Sequence, residues 1–401
     1  MSQPIEMSSN VVPYTCFSDV QEYVNSSEAS MYDEMDGLKL FCYNEINQGS
    51  DEMLKRIRGV VFDENENIVS RTFGATIELI FDGKFDKEFF YPFEGTTNAF
   101  YSEEGTLLRL FNHNGKWYLS THKKLDAQKS RWGAGKTFGE LFKEGLMYSY
   151  MTSVEFRDFM SIDTQDESVV YEKFLEKLDT QYTYLFLVKS TTKNRIVCTK
   201  VSEVGNILYL GKIYNSSQTF EGNDDFHFLM RPVKVDITED FYESLKEQIE
   251  NVDYKSHQGI ILFNDDFTSS VKLINKNYGK RMNLRSNCPS VKFRYMELLH
   301  SKDMEKLRDF RDLYPEYSTD FDTIDTIIYN IATKAHRVYL DRHINKQFVV
   351  TDPDLHVLLK NVHNMYVSNK VPTTVMMVRE KLLEMTPVYI NRVVKKFKDM
   401  W

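Results

Sequence analysis

Short apolar and β-branched runs, each ended by polar turn residues, dominate the chain from about residue 38 to residue 263. Runs of this kind predict β-strands and hairpins, with turns at 63–67 and 112–115. Two interposed segments, 138–180 and 239–251, carry apolar residues at helical spacing. The middle of the chain is therefore predicted to be an α+β domain with a largely antiparallel sheet. The predicted strands lie in LKLFCYN, GVVFDENENIVSRTF, TLLRLFNHNGKWYLST, YTYLFLV, NRIVCTKV, ILYLGKIY and GIILFN.

The pattern changes after about residue 291. From there to residue 401 the apolar positions recur at helical spacing, which predicts an all-helical domain. Prolines fall between or near the ends of the predicted helices, as expected of residues that interrupt helices: they are Pro315, Pro353, Pro372 and Pro387. A short helix is also predicted at Phe17–Tyr23. We therefore expect an N-terminal extension over 1–37, an α+β domain over 38–290 and a helical domain over 291–401.

The composition is that of a globular protein, with 42% hydrophobic and 27% charged residues among 401. The net charge of −9 argues against a protein that coats nucleic acid with its whole surface, but not against a local basic groove. No apolar run approaches the roughly 18–20 residues that span a bilayer. Four separated cysteines favour reduced thiols: Cys16, Cys42, Cys198 and Cys288. We expect an intracellular protein of the cytoplasm or nucleus, with no membrane partner.

Several segments follow one another in an order that resembles the T4-type RNA ligases, which are covalent nucleotidyltransferases. They are Arg58–Phe62, Ser70–Phe73, Ser102–Leu108, Ser120–Lys124, Tyr182–Val188, Asn194–Val197, His257–Leu262 and Val271–Ile274. The resemblance covers about 58–285 and more loosely the helical tail. It implies an RNA-ligase-like nucleotidyltransferase core with an antiparallel sheet, followed by an all-helical C-terminal domain.

The resemblance also implies the chemistry that a working site would need. In the family, a lysine attacks the α-phosphorus of ATP and carries the AMP, and this requires a partly neutral amine. Two acidic groups hold the metal and the ribose, and a lysine pair offsets charge as pyrophosphate leaves. Each of these positions can be located in this chain by its motif.

This chain departs from the family pattern at most of those positions. The lysine position is Ser102, the neighbouring aspartate is Glu104, and the two later glutamates are replaced by Leu187 and Gln258. The second lysine of the pair is Ile274. Arg58, Gly105 and Lys272 are retained. Because Mg²⁺ prefers charged oxygen ligands, losing both later carboxylates predicts a vestigial nucleotide pocket with no catalytic residue, metal or cofactor.

A local basic segment follows the last motif. Lys276, Lys280, Arg281 and Arg285 are the candidate RNA contacts, and aromatic residues are interleaved with the basic residues of this segment. Basic residues with neighbouring aromatic rings favour contact with phosphates and bases. An exposed linker with ordinary charges is an equal alternative. The histidines near the motifs, His113, His122 and His257, have no partners at metal-ligand spacing and are predicted to be turn or surface residues.

Two hypotheses follow for function. The first is a catalytically inactive RNA-ligase-like protein that serves as a structural or RNA-binding subunit of a viral transcription or RNA-processing complex, with other protein subunits as partners. The alternative is an active ATP-dependent RNA ligase that seals RNA ends through an adenylated intermediate and needs ATP and Mg²⁺. Both hypotheses place the protein inside a cell. If the complex is viral, that cell is an infected host cell.

Overall fold

The computed structural model describes residues 15–398, except 134 and 223–224. The chain divides into two compact units, one up to Gly279 and one from Lys280 onward. The division falls inside a helix, Lys276–Arg285 (α8), earlier in the chain than the boundary after residue 290 that the sequence suggested.

The first unit is built on three sheets. Its strands are β1 Ala29–Met35, β2 Leu38–Tyr43, β3 Arg58–Phe62, β4 Ile68–Ser70, β5 Thr76–Ile80, β6 Ala99–Ser102, β7 Gly105–His113, β8 Lys116–Ser120, β9 Tyr182–Lys189, β10 Ile207–Tyr214, β11 Thr219–Glu221, β12 Gly259–Phe263 and β13 Ser270–Ile274. The first sheet has the order β1-β2-β3-β4, the second β11-β10-β9-β7-β8, and the third β5-β13-β12-β6. All the described pairs within these sheets are antiparallel except β5 with β13.

Helices cover one face of each sheet. In the first unit they are α1 Phe17–Asn25, α2 Glu52–Arg56, α3 Lys87–Phe90, α4 Phe138–Thr152, α5 Val154–Met160, α6 Glu167–Glu176 and α7 Phe241–Glu250. Helix α4 begins with a capping box between Thr137 and Glu140. Apolar residues of α4, α5 and α6 form one core with the second sheet, and those of α7 form another with the third sheet. The opposite face of the third sheet carries Ser102, Lys272 and Ile274, because side chains alternate along a strand.

The second unit is helical throughout its described part. Its helices after α8 are α9 Val291–Ser301, α10 Met304–Leu313, α11 Ser318–Tyr339, α12 Pro353–Asn369, α13 Val375–Leu383 and α14 Pro387–Lys398, with a π-helical turn at Leu340–Ile344. Helix α11 packs against α12, α13 and α14 through a stripe that includes Ile324, Ile328 and Ile331. Pro353 and Pro387 begin α12 and α14, where proline's missing N–H costs nothing.

The predicted fold class is confirmed, with antiparallel-rich sheets and a helical C-terminal region. The helices predicted at 17–23, 138–180 and 239–251 are present as α1, α4 to α6 and α7. The strand predicted over 194–201 is wrong, since the structure has turns and bends there. Strand β1 lies within 1–37, the range expected to be an extension, and pairs with β2.

Candidate functional site

Ser102 ends β6, where the chain leaves the third sheet for the second. Its Oγ donates a hydrogen bond of 3.0 Å to Oε1 of Gln258. The amide Nε2 of Gln258 donates to the Tyr278 oxygen at 3.1 Å, and the Tyr278 hydroxyl donates to Oε1 of Glu104 at 2.8 Å. We call Ser102, Gln258, Tyr278 and Glu104 the polar chain. It brings three of the predicted pocket positions together, and it contains no amine.

Glu104 is almost fully buried, with 2% of its surface exposed. Besides Tyr278, its carboxylate accepts backbone N–H bonds from Ile196 at 2.8 Å, Val197 at 2.5 Å and Cys198 at 2.7 Å. A buried carboxylate is stabilised by such a set of donors. The bonds also explain the wrong strand prediction: residues 196–198 direct their N–H groups to a side chain rather than to a neighbouring strand.

Tyr278 and Cys198 are held in their protonated forms. Burial raises the pKa of the Tyr278 hydroxyl, and the negative charge of Glu104 raises it further. The Cys198 thiol, also buried beside Glu104, has a pKa raised by the same two causes. At neutral pH, Tyr278 is therefore a hydrogen-bond donor to Glu104, and Cys198 is a thiol rather than a nucleophilic thiolate.

Glu103, the residue between Ser102 and Glu104, makes a separate set of contacts. Its carboxylate pairs with Lys189 Nζ at 2.9 Å and lies 3.3 Å from His257 Nδ1. Burial opposes ionisation of Glu103, but His257 and Lys189 together hold its pKa below the ordinary value. The His257 ring stacks on Tyr101 at 4.7 Å. His257 was predicted to be a turn or surface residue, and its close approach to Glu103 was not expected.

Lys272 and Arg58 lie near Glu78. Lys272 Nζ pairs with Glu78 at 2.6 Å, and Arg58 Nη1 donates to the Gly74 carbonyl at 3.2 Å. Although burial raises the pKa of Glu78, the charges of Lys272 and Arg58 leave it below the ordinary value. Arg58 Nε is buried and has no hydrogen-bond partner among the described residues. Of the two cations of the predicted pocket, Lys272 therefore contacts the Glu78 carboxylate directly, whereas Arg58 acts on it through its charge.

Apolar and glycine positions complete the predicted pocket. Gly105 lies where β7 meets β9, and a Cβ there would come within 2.5 Å of the Val188 carbonyl oxygen and 3.0 Å of Leu187 Cγ. Ile274 is buried beside Gly259 in the third sheet. Ile274 is thus part of the packed sheet, and Leu187 lies next to Gly105 at the edge of the predicted pocket.

The sequence did not indicate the surroundings of two basic residues near Arg58, Arg109 and His122. Arg109 is fully buried, and its guanidinium donates to the Gly59 carbonyl and, at 2.7 Å, to Ser120 Oγ. Burial lowers the pKa of Arg109 to about 9. Burial and the charges of Arg58, Lys123 and Arg109 lower the pKa of His122 to about 3, so this ring is neutral at pH 7. An arginine in the middle of an apolar strand, TLLRLF, is the signal that could have indicated a buried cation.

The predicted RNA contacts are placed along α8. Lys276 and Lys280 are exposed, and Arg281 is half-buried. Arg285 is buried, donates to the Pro289 carbonyl at 2.5 Å and lies 5.4 Å from the Tyr314 ring centre. Because its guanidinium is enclosed in the helical unit, we do not include Arg285 in the surface proposed below.

Neither a metal-binding cluster nor a membrane-spanning helix is present in the described part of the chain. Within residues 15–398, apart from the three positions left out, no group of three or more His, Cys, Asp or Glu residues could hold a metal ion. None of the described helices is long and apolar enough to cross a membrane. The expectation that the protein needs no cofactor stays a prediction.

The fold defines an α+β protein with antiparallel-rich sheets and a helical C-terminal unit. No protein-family model matches the chain. Over 384 residues the chain is 30% identical to the "Immediate-early protein ICP-46 homolog" of Invertebrate iridescent virus 6, and the match covers 90% of this chain and 80% of the relative. The chain belongs to this family of viral ICP-46 homologues.

Solved structures of ligases are distant neighbours. The putative ATP-dependent DNA ligase from Aquifex aeolicus matches with a TM-score of 0.39 and 11% identity, covering 95% of this chain and 79% of the ligase. An archaeal ATP-dependent RNA ligase matches with a TM-score of 0.37 and 9% identity, covering 75% and 71%. Because these TM-scores are low, the structural matches carry no argument about function. The proposed function depends on the residues of the site instead.

Proposed function

We propose that this protein is a catalytically inactive, RNA-ligase-like protein. The polar chain is the observation that carries the proposal. Adenylyl transfer in the ligase family needs an amine at the position of Ser102, and a serine hydroxyl donating to Gln258 cannot form the phosphoramidate. Glu104 already accepts four hydrogen bonds, so little of its capacity is left for a metal or a ribose.

The rest of the predicted pocket supports the same proposal. Gln258 is a neutral amide bonded on both sides, Ile274 is a buried hydrophobic residue, and Leu187 is a half-buried one. Lys272, the retained lysine of the pair, has its charge matched by Glu78. Replacing carboxylates by neutral groups removes the ligands that Mg²⁺ prefers.

We further propose that the protein acts as a structural or RNA-binding subunit of a viral transcription or RNA-processing complex. The relative from Invertebrate iridescent virus 6 is described as an immediate-early protein, which supports a viral setting. The mass of 47.3 kDa is also similar to that of the 47 kDa accessory subunit of the baculovirus RNA polymerase. The identification with that subunit depends on size alone and stays a hypothesis.

Exposed cations at the start of α8 are the candidate RNA-binding surface. Lys276 and Lys280 are one helical turn apart, so their charges lie on one face, and Arg281 follows directly. Phosphate contacts by such residues release counterions and make binding depend steeply on salt.

The RNA-binding proposal is tested by neutralising this surface. We expect the triple variant Lys276→Ala, Lys280→Ala, Arg281→Ala to bind single-stranded RNA at least about tenfold more weakly at low salt, with a shallower salt dependence. A matched control removes three exposed cations elsewhere, at Lys84, Lys193 and Lys360, and should bind as the wild type does. Equal affinity of the two triple variants, measured by fluorescence anisotropy, would reject α8 as the RNA-binding surface.

The active ligase stays the alternative function. It is favoured by the retention of Arg58, Gly105 and Lys272 at the positions that the family uses. It requires another amine to replace the missing lysine. The covalent-adduct measurement at the end of the Discussion separates the two functions.

A further inference from the structure

A cavity of about 500 Å³ opens within the second unit between α9, α10, α11 and α13. Its floor is apolar and includes Leu299, Leu307 and Leu383, while Met304 stands at the mouth with 71% of its surface exposed. Pockets of roughly 300–1,000 Å³ with apolar walls and a few polar groups are typical small-molecule sites. Neither the family nor the motifs of the first unit assigns a role to this cavity.

Four cations line the cavity: Lys302, Arg308, Arg311 and Arg379. Two of them have their charges matched. Lys302 pairs with Glu384 at 3.2 Å, and Arg311 pairs with Asp322 and with Asp325. Because Lys302 and Arg311 are paired, Arg308 and Arg379 have the most hydrogen-bond donors left for a ligand.

Arg308 and Arg379 approach the cavity from α10 and α13 respectively. Arg308 meets only its sequence neighbour Asp309 at 3.8 Å, beyond hydrogen-bond distance. Arg379 has no hydrogen bond or ion pair to any residue in the described part of the chain. Two guanidinium groups with free donors on one cavity favour a phosphate or carboxylate, because the planar fork binds such anions through paired hydrogen bonds.

Two carboxylates also face the cavity and restrict the ligand. Asp325 Oδ2 accepts from the Tyr295 hydroxyl at 2.8 Å, while its Oδ1 is buried without a hydrogen-bond partner among the described residues, and Glu380 is exposed beside Arg379. A carboxylate next to the arginines repels a highly charged anion but accepts hydrogen bonds from hydroxyl or amino groups. The lining therefore suits an apolar body that carries hydrogen-bond donors and a single phosphate.

We propose that this cavity binds a nucleoside monophosphate unit. The base lies on the leucine floor, the phosphate binds Arg308 and Arg379, and a hydroxyl or amino group of the nucleoside donates to Glu380. The unit comes either from a free nucleotide or from one nucleotide of an RNA strand. This site goes beyond the proposed function, since it uses no residue of the polar chain or of α8.

The test is a calorimetric titration of the full-length protein with AMP and, separately, with a short single-stranded RNA. We expect AMP to bind, and Arg308→Ala and Arg379→Ala each to weaken binding about tenfold, the loss expected for a charge-assisted hydrogen bond. Arg337→Ala, which removes an exposed arginine of the same unit away from the cavity lining, is the matched control and should bind as the wild type does. Melting curves establish that all three variants are folded.

The two sources of the nucleotide give different results. If AMP binds and both cavity variants weaken it, a free nucleotide is the ligand. If only the RNA binds, and it too is weakened by Arg308→Ala and Arg379→Ala but not by Arg337→Ala, the nucleotide of a strand is the ligand. If neither AMP nor RNA binding changes in the two cavity variants, or neither probe binds up to millimolar concentration, the cavity is not a nucleotide site and the proposal is wrong.

Discussion

At the scale of single residues, the site is explained by what each side chain bonds to in the fold. The carboxylate of Glu104 accepts hydrogen bonds from three backbone N–H groups and from the Tyr278 hydroxyl. Ser102 and Gln258 bond to each other rather than leave free groups in a pocket. Such a chain of hydrogen bonds stabilises a buried structure because leaving any member unpaired is costly.

The substitution Tyr278→Phe measures how much the polar chain contributes to the stability of the fold. Removing the hydroxyl leaves Gln258 without an acceptor and Glu104 without one donor, so we expect the free energy of unfolding to fall by about 1–3 kcal/mol. Tyr209→Phe is the matched control, since that ring is equally buried but its hydroxyl has no partner among the described residues. The free energies of unfolding of the two variants are compared by chemical denaturation. An equal effect of the two substitutions would mean that the Tyr278 hydroxyl contributes nothing specific.

At the scale of elements, the sequence pattern predicted those strands and helices whose apolar residues face a core. The hairpins β3–β4 and β7–β8 and the helices after residue 291 are of this kind. The prediction failed at 194–201, where an apolar, β-branched run is held by the Glu104 carboxylate, a contact 92–94 residues apart in sequence. No local pattern reports a partner at that separation. For the same reason, the sequence could not indicate the Glu103–His257 or Lys272–Glu78 pairs.

A substitution at Gly259 tests how closely strands β12 and β13 of the third sheet pack beside the polar chain. A Cβ at this position would overlap the carbonyl oxygen of Leu273 on the neighbouring strand β13. Because two backbones must then separate, we expect Gly259→Ala to lower the free energy of unfolding by about 2–4 kcal/mol. Gly49→Ala is the control, because its Cβ would meet only Asn47 Oδ1 at 3.5 Å, and its effect should stay within about 1 kcal/mol. Similar melting temperatures for the two variants would contradict this account of the sheet.

At the scale of the whole molecule, the sequence led to the fold class and to most positions of the predicted pocket. Ser102, Glu104 and Gln258 do come together, and Lys272 pairs with Glu78, whose pKa the charge of Arg58 also lowers. The sequence did not reveal Tyr278 as the link between Gln258 and Glu104, nor Arg109 as a buried cation, because both depend on contacts between separate elements. It also did not indicate that Arg285 is enclosed, since exposure of a basic helical residue depends on how the helices pack.

The central claim is that this ligase-like protein does not transfer a nucleotide, and its most direct test is the formation of a covalent nucleotide adduct. The purified protein is incubated with Mg²⁺ and α-labelled ATP or GTP, and label that survives denaturing gel electrophoresis is measured, with Ser102→Lys as a second sample. We predict no labelled band in either sample, because under our proposal Gln258, Leu187 and Ile274 stand where an active RNA ligase would have two carboxylates and a second lysine. A labelled band from the wild-type protein would contradict the account and support the active ligase.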